Sequence, residues 1–256
     1  MMGYLLASLI GLSLGLLGGG GSILTLPILV YVLEMPTKLS IALSLGIVGV
    51  TSLFGTINHL RNRNINFSAA LWVGPFAAFG TLVGTKLSLL FPAEVQLLLF
   101  GFIMMMASFS LLRSKDKDNV EENSEDSIKI NKRTFLLSIQ GFLIGVITGI
   151  VGVGGGFLIV PVLVIFARVG IRKAIGTSLL LITVNSLIGF IGYLNEFTIP
   201  WDFFIKFSLF SIGGVLIGSF SAKFVSQKLL KKFFAFFLLL MGIFILYQNM
   251  YIVTKP

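Results

Sequence analysis

Gly18-Gly19-Gly20-Gly21-Ser22-Ile23-Leu24-Thr25-Leu26-Pro27 returns 134 positions later as Gly152-Val153-Gly154-Gly155-Gly156-Phe157-Leu158-Ile159-Val160-Pro161. The same offset carries Gly15 onto Gly149, Ser44 onto Ser178, Ser52 onto Ser186, Gly55 onto Gly189, Ile65 onto Ile199 and Phe67 onto Trp201. It also carries Gly80 and Gly84 onto Gly214 and Gly218. One ungapped offset over so long a stretch means an internal duplication, and both copies are strongly apolar. A Gly-rich interruption at the same place in each copy of a duplicated apolar unit is the sequence pointer to a transporter binding site.

Composition sets the class. Of the 256 residues, 56% are hydrophobic and 11% charged, with a mean hydropathy of +1.01. Soluble domains carry roughly 25% charged residues, so the chain reads as a membrane protein whose first partner is the lipid bilayer. The formal charge of +9 reads as Lys and Arg held at one membrane face. No basic stripe with interleaved aromatics points to nucleic acid. The absence of cysteine excludes disulfides, thiol catalysis and thiolate metal sites. One histidine and ten carboxylates give no dense ligand cluster, so neither a cofactor nor a metal is expected. An intramembrane enzyme would need a nucleophile–base pair or a metal cluster, and the chain offers neither.

Charges divide the sequence into apolar segments: Met1 to Leu33, Leu39 to Leu60, Phe67 to Phe91 and Val95 to Leu112, then Phe135 to Ala167, Ala174 to Asn195, Phe203 to Ala222 and Phe233 to Thr254. Each is a candidate helix, because backbone exposed to lipid must satisfy its own hydrogen bonds. The expected organisation is a first transmembrane repeat over residues 1–112, a solvated cytoplasmic linker over 113–133 and a second transmembrane repeat over 134–256. The N-terminal segment lacks the basic stretch of a signal peptide and has a counterpart deep in the chain, so it reads as mature structure.

The first segment of each copy is abnormal. Met1 to Leu33 is uncharged and as a straight helix would reach about 50 Å at 1.5 Å per residue, against a hydrocarbon core about 30 Å thick. Glycine is a poor helix-interior residue and proline removes a donor, so two half-helices meeting at the Gly cluster are expected. If these broken segments re-enter rather than cross, 15 of the 19 Lys and Arg fall on the linker side, leaving Lys38, Lys86, Lys206 and Lys255 opposite. If all eight segments cross, the cations divide almost evenly. The positive-inside rule favours six crossings, two re-entrant hairpins, both termini outside and therefore inverted repeats. Eight crossings with parallel repeats is the alternative.

Candidate site residues follow from the breaks. A broken helix at membrane depth leaves free N–H donors and a positive dipole end, which attract anions; these belong to Gly20, Gly21 and Ser22, and to Gly154, Gly155 and Gly156. The second segments add the small polar residues Ser44, Thr51, Ser52 and Asn58, and Ser178, Asn185 and Ser186. Neutral hydroxyl and amide donors suit an anion that must be released again. The competing reading makes the glycines packing residues and the hydroxyls helix glue. His59, the sole histidine, sits beside Arg61 and Arg63; it is either an interfacial residue or a coupling or gating group, with an ordinary pKa of about 6.5. No Asp or Glu lies in the middle of an apolar segment, which leans away from a cation pathway.

These motifs resemble the TauE/SafE family of sulfite-exporter-like permeases. The resemblance rests on Gly18 to Pro27, Gly152 to Pro161, Ala174-Ile175-Gly176-Thr177-Ser178-Leu179 and the basic turn His59-Leu60-Arg61-Asn62-Arg63-Asn64-Ile65-Asn66-Phe67. It implies a multi-pass permease of a prokaryotic-type plasma membrane for small sulfur-containing anions such as sulfite, sulfoacetate or other organosulfonates. Gly19 and Ser22 stand where the second copy has Val153 and Gly156, so the two half-sites are chemically unequal. The expectation is an all-α polytopic carrier of a small anion working by alternating access. An anion channel of the same architecture is the alternative. A coupling proton or sodium ion and a second copy of the chain are candidate further partners.

Overall fold

The structure is a computed structural model and describes residues 2–113, 132–151, 155–167 and 169–253. Most of the polar linker, Gly152, Val153, Gly154 and Arg168 lie outside the described residues. The described chain is helical, with no strand: α1 (Met2–Leu17), α2 (Gly20–Pro27), α3 (Thr37–Arg61), α4 (Phe67–Ser88), α5 (Ala93–Arg113), α6 (Lys132–Val151), α7 (Gly156–Ile165), α8 (Ile171–Tyr193), α9 (Trp201–Ser221) and α10 (Gln227–Val253). A π-helical turn, Ile28–Val32, extends α2, and a 3₁₀ turn, Ala222–Phe224, follows α9. Six of these helices (α3, α4, α5, α8, α9 and the Lys228–Asn249 part of α10) are long and apolar enough to cross a membrane. The helices α3, α4, α8 and α9 begin at Thr37, Phe67, Ile171 and Trp201, so the second pair starts 134 residues after the first.

The pairing of helices is exchanged between the two halves of the chain. α1 packs on α9 and α4 on α6. Both contacts are glycine-lined: a Cβ on Gly80, Gly84, Gly145 or Gly149 would fall on the backbone of the facing helix, at Phe142, Val146, Ala77 and Thr81. Gly11 and Gly15 do the same with Ser211 and Val215, and Gly214 and Gly218 with Ser8 and Leu12. Spacing of small residues by four lets two backbones approach where lipid supplies no hydrophobic drive for association. Residue numbers rise together along both contacts, so each pair is parallel.

The centre is built from α3 and α8, whose apolar windows are the most buried of the six spans, at 78% and 72%. They run antiparallel: Gly46 meets Phe190, Gly49 meets Leu187, and Thr56 Oγ1 lies 3.5 Å from Thr183 Oγ1. Each is flanked by a parallel helix of the other half. Gly46 and Gly55 of α3 touch Phe204 and Val215 of α9, while Gly74 of α4 touches Leu181 and Gly192 of α8 touches Thr85. α5 and α10 pack against each other antiparallel, with Gly101 on Leu246 and the Ser108 hydroxyl donating to the Ala235 carbonyl at 2.6 Å.

These directions settle the path of the broken segments. α1 and α3 both run parallel to α9, so the chain between them must turn back. Gly21 lies against Ile10 and Leu14, and a Cβ on Gly3 would lie 3.5 Å from the Leu33 side chain, so residues 2–33 form a hairpin whose ends meet. α6 and α8 likewise both run with α4, which makes α7 the returning limb of a second hairpin. Eight successive crossings would set α1 against α3 and do not fit this packing.

Candidate functional site

The first break is a single residue in the left-handed region. Gly18, at φ 71°, closes α1 by donating to Leu14 O at 2.8 Å, and α2 starts two residues on. Gly19 caps α2 without a side-chain hydrogen bond, so the first-turn N–H groups of Gly20, Gly21 and Ser22 keep their donor capacity. The Ser22 hydroxyl is turned away from that role, donating to Gly19 O at 2.7 Å. In the second half Gly155, at φ 75°, caps α7, again without a side-chain partner, and Gly156 opens the helix. Gly154 lies outside the described residues. Pro27 and Pro161 sit within α2 and α7, so the glycines alone make the interruptions.

The two breaks meet. A Cβ on Gly156 would lie 3.0 Å from the Gly19 Cα and against the Ile182 side chain. α8 passes beside both, and the Ser178 hydroxyl reaches Gly18 O at 3.2 Å. Along α8, Ser178, Ile182, Asn185 and Ser186 form one stripe at helical spacing.

The polar side chains of this region divide into two kinds. Ser52 donates to Val48 O at 2.6 Å and Ser178 to Ile175 O at 2.8 Å, both spent on their own helices. Ser44 Oγ, Thr51 Oγ1, Ser186 Oγ and both carboxamide atoms of Asn185 are fully buried with no hydrogen-bond partner among the described residues. Thr51 and Asn185 occupy equivalent positions at the offset of 134, and the Gly49–Leu187 and Thr56–Thr183 contacts bracket them at the α3–α8 crossing. An unpaired buried polar group costs about 1–3 kcal/mol, and native structures keep few of them. Asn185, with Ser186 next to it on α8 and Thr51 on α3, brings unpaired polar atoms to the level of that crossing, and Ser44 lies two turns away along α3.

Two sequence candidates lie elsewhere. Asn58 is half-buried two turns beyond Thr51 and accepts from the Asn62 side chain at 3.2 Å. His59 is buried, with its Nδ1 3.0 Å from where a Cβ on Gly176 would sit. The turn that follows docks on the same part of α8: the Asn66 amide N–H donates to Thr177 Oγ1 at 2.8 Å, and Asn66 Oδ1 caps α4 by accepting from Ala69 N. His59 thus belongs to the junction between the basic turn and α8. A polar group that sequence reasoning passed over lies at the opposite end of α8, where Thr85, Ser88, Gln96 and Tyr193 are all buried. Its signal was a glutamine in the first turn of an apolar helix, and a tyrosine at the position equivalent to His59.

The site is electrically neutral apart from helix ends. The one ion pair among the described residues, Lys206–Asp202 at 2.8 Å, is exposed on α9. No group of three His, Cys, Asp or Glu side chains there could hold a metal ion.

The six apolar spans, the two hairpins and the buried polar crossing define a polytopic helical membrane protein. Residues 4–245 match the family described as sulfite exporter TauE/SafE, and the chain belongs to that family of membrane transporters. A "probable membrane transporter protein" of Xylella fastidiosa is 30% identical over 244 residues, covering 94% of this chain and 92% of that protein. YdhB of Bacillus subtilis, described in the same words, is 29% identical over 86% of this chain and 89% of its own. MJ0441 of Methanocaldococcus jannaschii, again so described, is 26% identical over 74% and 72%. No solved structure matches the chain.

Proposed function

We propose that the protein carries a small anion, a sulfite, sulfonate or related sulfur-containing anion, across the cell membrane by alternating access. The observation that carries this reading is the Asn185 carboxamide, fully buried with neither atom partnered among the described residues, at the α3–α8 crossing and one helical turn from Ile182, which lies against Gly156. Helix N-termini, an amide N–H₂ and hydroxyls stabilise negative charge and release it again, and no carboxylate stands by to repel it. Asn185, Thr51, Ser44 and Ser186 serve as direct contacts, with backbone donors from Gly20, Gly21 and Ser22 and from the second Gly cluster, Gly154 to Gly156. Ser52 and Ser178 position the helices that bear these groups.

In this reading residues 1–112 and 134–256 are inverted repeats joined by a cytoplasmic linker, with Arg61, Arg63 and Arg172 facing the cytoplasm. Full burial of every site hydroxyl supports an occluded carrier conformation over an open pore. Transport then requires the repeats to rock so that the crossing opens first to one side and then to the other. The name of the family supports the sulfur-anion class and its neighbours' names support transport.

The test is a binding screen. Purified protein is heated with sulfite, sulfoacetate, other sulfonates, and chloride or nitrate as controls. A ligand at 100 times its Kd raises stability by about 2.7 kcal/mol. A shift with at least one sulfur anion, absent in Asn185→Leu, is expected. No shift with any of them, or an undiminished shift in the variant, overturns the reading.

A further inference from the structure

The two glycine-lined helix pairs present different surfaces to lipid. Between α1 and α9 runs a groove of about 780 Å³, walled by Leu9, Leu12, Phe210 and Ile217, with Ser8 and Gly213 along its floor. A Cβ on Gly213 would meet nothing within 4 Å. The Ser8 hydroxyl donates to Tyr4 O at 3.2 Å, so the floor is as apolar as the walls. At the offset of 134, Ser8 and Gly213 correspond to Phe142 and Phe79. Those two rings stack, with centroids 6.1 Å apart, and occupy the equivalent place between α6 and α4.

The same end of α9 also differs in charge. Lys206, one turn before Phe210, pairs with Asp202 at 2.8 Å, and both side chains are exposed. Their counterparts are Trp72 and Ser68, so an open groove and an exposed ion pair occur together on α9 and not on α4. Asp202, one turn nearer the helix start, draws the Lys206 ammonium toward Trp201, which is exposed, and Tyr4, whose ring stacks on Phe210 at 4.8 Å. Tryptophan and tyrosine at the end of a span mark the headgroup level, and a lysine near that end extends its charge to it. With Arg61 and Arg172 on the cytoplasmic side, this end of α9 lies in the outer leaflet. From Lys206 to Ile217 is about 16 Å at 1.5 Å per residue, about the depth of one leaflet in a hydrocarbon core about 30 Å thick.

The matching ligand has an apolar chain and, at its top, one negative and one positive group. An exposed ion pair contributes little by itself, so it can exchange partners, giving Lys206 a phosphate and Asp202 an ammonium. Phosphatidylglycerol supplies the phosphate but leaves the Asp202 carboxylate facing a second negative charge. A second copy of the chain, related by a two-fold axis, would set groove against groove and leave both unfilled.

We propose that the α1–α9 groove binds one phospholipid with a phosphoethanolamine headgroup, its acyl chain lying over Ser8 and Gly213, its phosphate on Lys206 and its ammonium on Asp202. The lipid completes on α9 the surface that Phe79 and Phe142 complete on α4, and it joins the N-terminal hairpin to the second half of the chain. This binding does not depend on what the protein transports.

Native mass spectrometry of the purified full chain in detergent, with palmitoyl-oleoyl phosphatidylethanolamine and phosphatidylglycerol at equal concentration, tests it. One phosphatidylethanolamine per chain is expected, held more tightly than phosphatidylglycerol. Ser8→Phe combined with Gly213→Phe copies an arrangement the other half already folds with, and it should abolish retention. Lys206→Gln should weaken retention of both lipids by up to about fivefold, the scale of one exposed charge contact. Asp202→Asn should erase the preference for phosphatidylethanolamine. These two single variants change exposed side chains outside the groove, so they test the headgroup contacts whether or not the double variant folds. Equal retention of the two lipids by the wild type, a preference that survives Asp202→Asn, or retention unchanged in the double variant overturns the site. A dimer that the double variant dissociates, with no lipid retained, gives the groove to a second copy and overturns it as well.

Discussion

Replacing Asn185 by leucine should make the protein more stable and useless. Both carboxamide atoms are buried at the α3–α8 crossing without a partner among the described residues. Leucine has the same branching and number of side-chain heavy atoms, is bulkier and has no polar atoms, so the substitution removes an unpaid desolvation cost of about 1–3 kcal/mol. The gain sits near the low end if the membrane-embedded unfolded state also finds partners, as the average of about 0.6 kcal/mol for hydrogen bonds between membrane helices indicates. The same change deletes a contact to the anion, worth about tenfold to a hundredfold in affinity. Thermal unfolding in detergent with and without sulfite or a sulfonate reads both effects from one sample. A higher unfolding temperature without ligand and a lost ligand shift are expected. A less stable variant would mean that Asn185 is a structural hydrogen-bonding residue, and an unchanged ligand shift would mean that the site lies elsewhere.

Three further outcomes follow from the packing. Gly84→Val, whose Cβ would land on the Val146 carbonyl, should separate α4 from α6 and sharply lower the yield of folded protein, whereas Gly213→Ala, with nothing within 4 Å, should gain up to about 1 kcal/mol; equal yields would show that the glycine contact is not structural. Cysteines placed at Arg61 and Arg172 in this cysteine-free chain should react only with reagent on the cytoplasmic side, and cysteines at Lys38 and Lys206 only outside; the reverse would invert the topology. Gly155→Ala should impair folding as well as transport, because Gly155 holds φ 75° and a Cβ would strike Thr148; a normally folded variant would mean that the break is more pliable than the structure indicates.

Much of the fold is legible in the sequence because lipid leaves few options. The span from Leu39 to Leu60 is α3 within two residues of its ends, and the breaks fall at the Gly clusters where backbone geometry demands a residue without Cβ. The placement of Lys and Arg favoured hairpins over crossings, and the parallel run of α1 and α3 agrees. Helix ends were least legible where charges were used as markers: Lys228, Lys231 and Lys232 lie inside α10, since long cationic side chains extend a helix past the apolar span. The exchanged pairing of α1 with α9 and α4 with α6 is not legible in the sequence, although Gly80, Gly84, Gly214 and Gly218 stand out in it; a repeat places a glycine without saying which helix it faces. The buried polar residues were identifiable by type. Which of them spend their protons on their own helix, as Ser52 does, and which are left over, as Thr51 and Asn185 are, depends on rotamers that no residue pattern encodes.

The central claim is that a small anion is carried through the α3–α8 crossing, and counterflow tests it most directly. Proteoliposomes loaded with an excess of unlabelled anion are diluted into a trace of labelled sulfite or sulfonate. A carrier with this site takes up label transiently against the anion gradient, saturably, and Asn185→Leu abolishes the overshoot. Uptake that only equilibrates with the gradient and scales linearly with concentration, or an overshoot unchanged in Asn185→Leu, contradicts it.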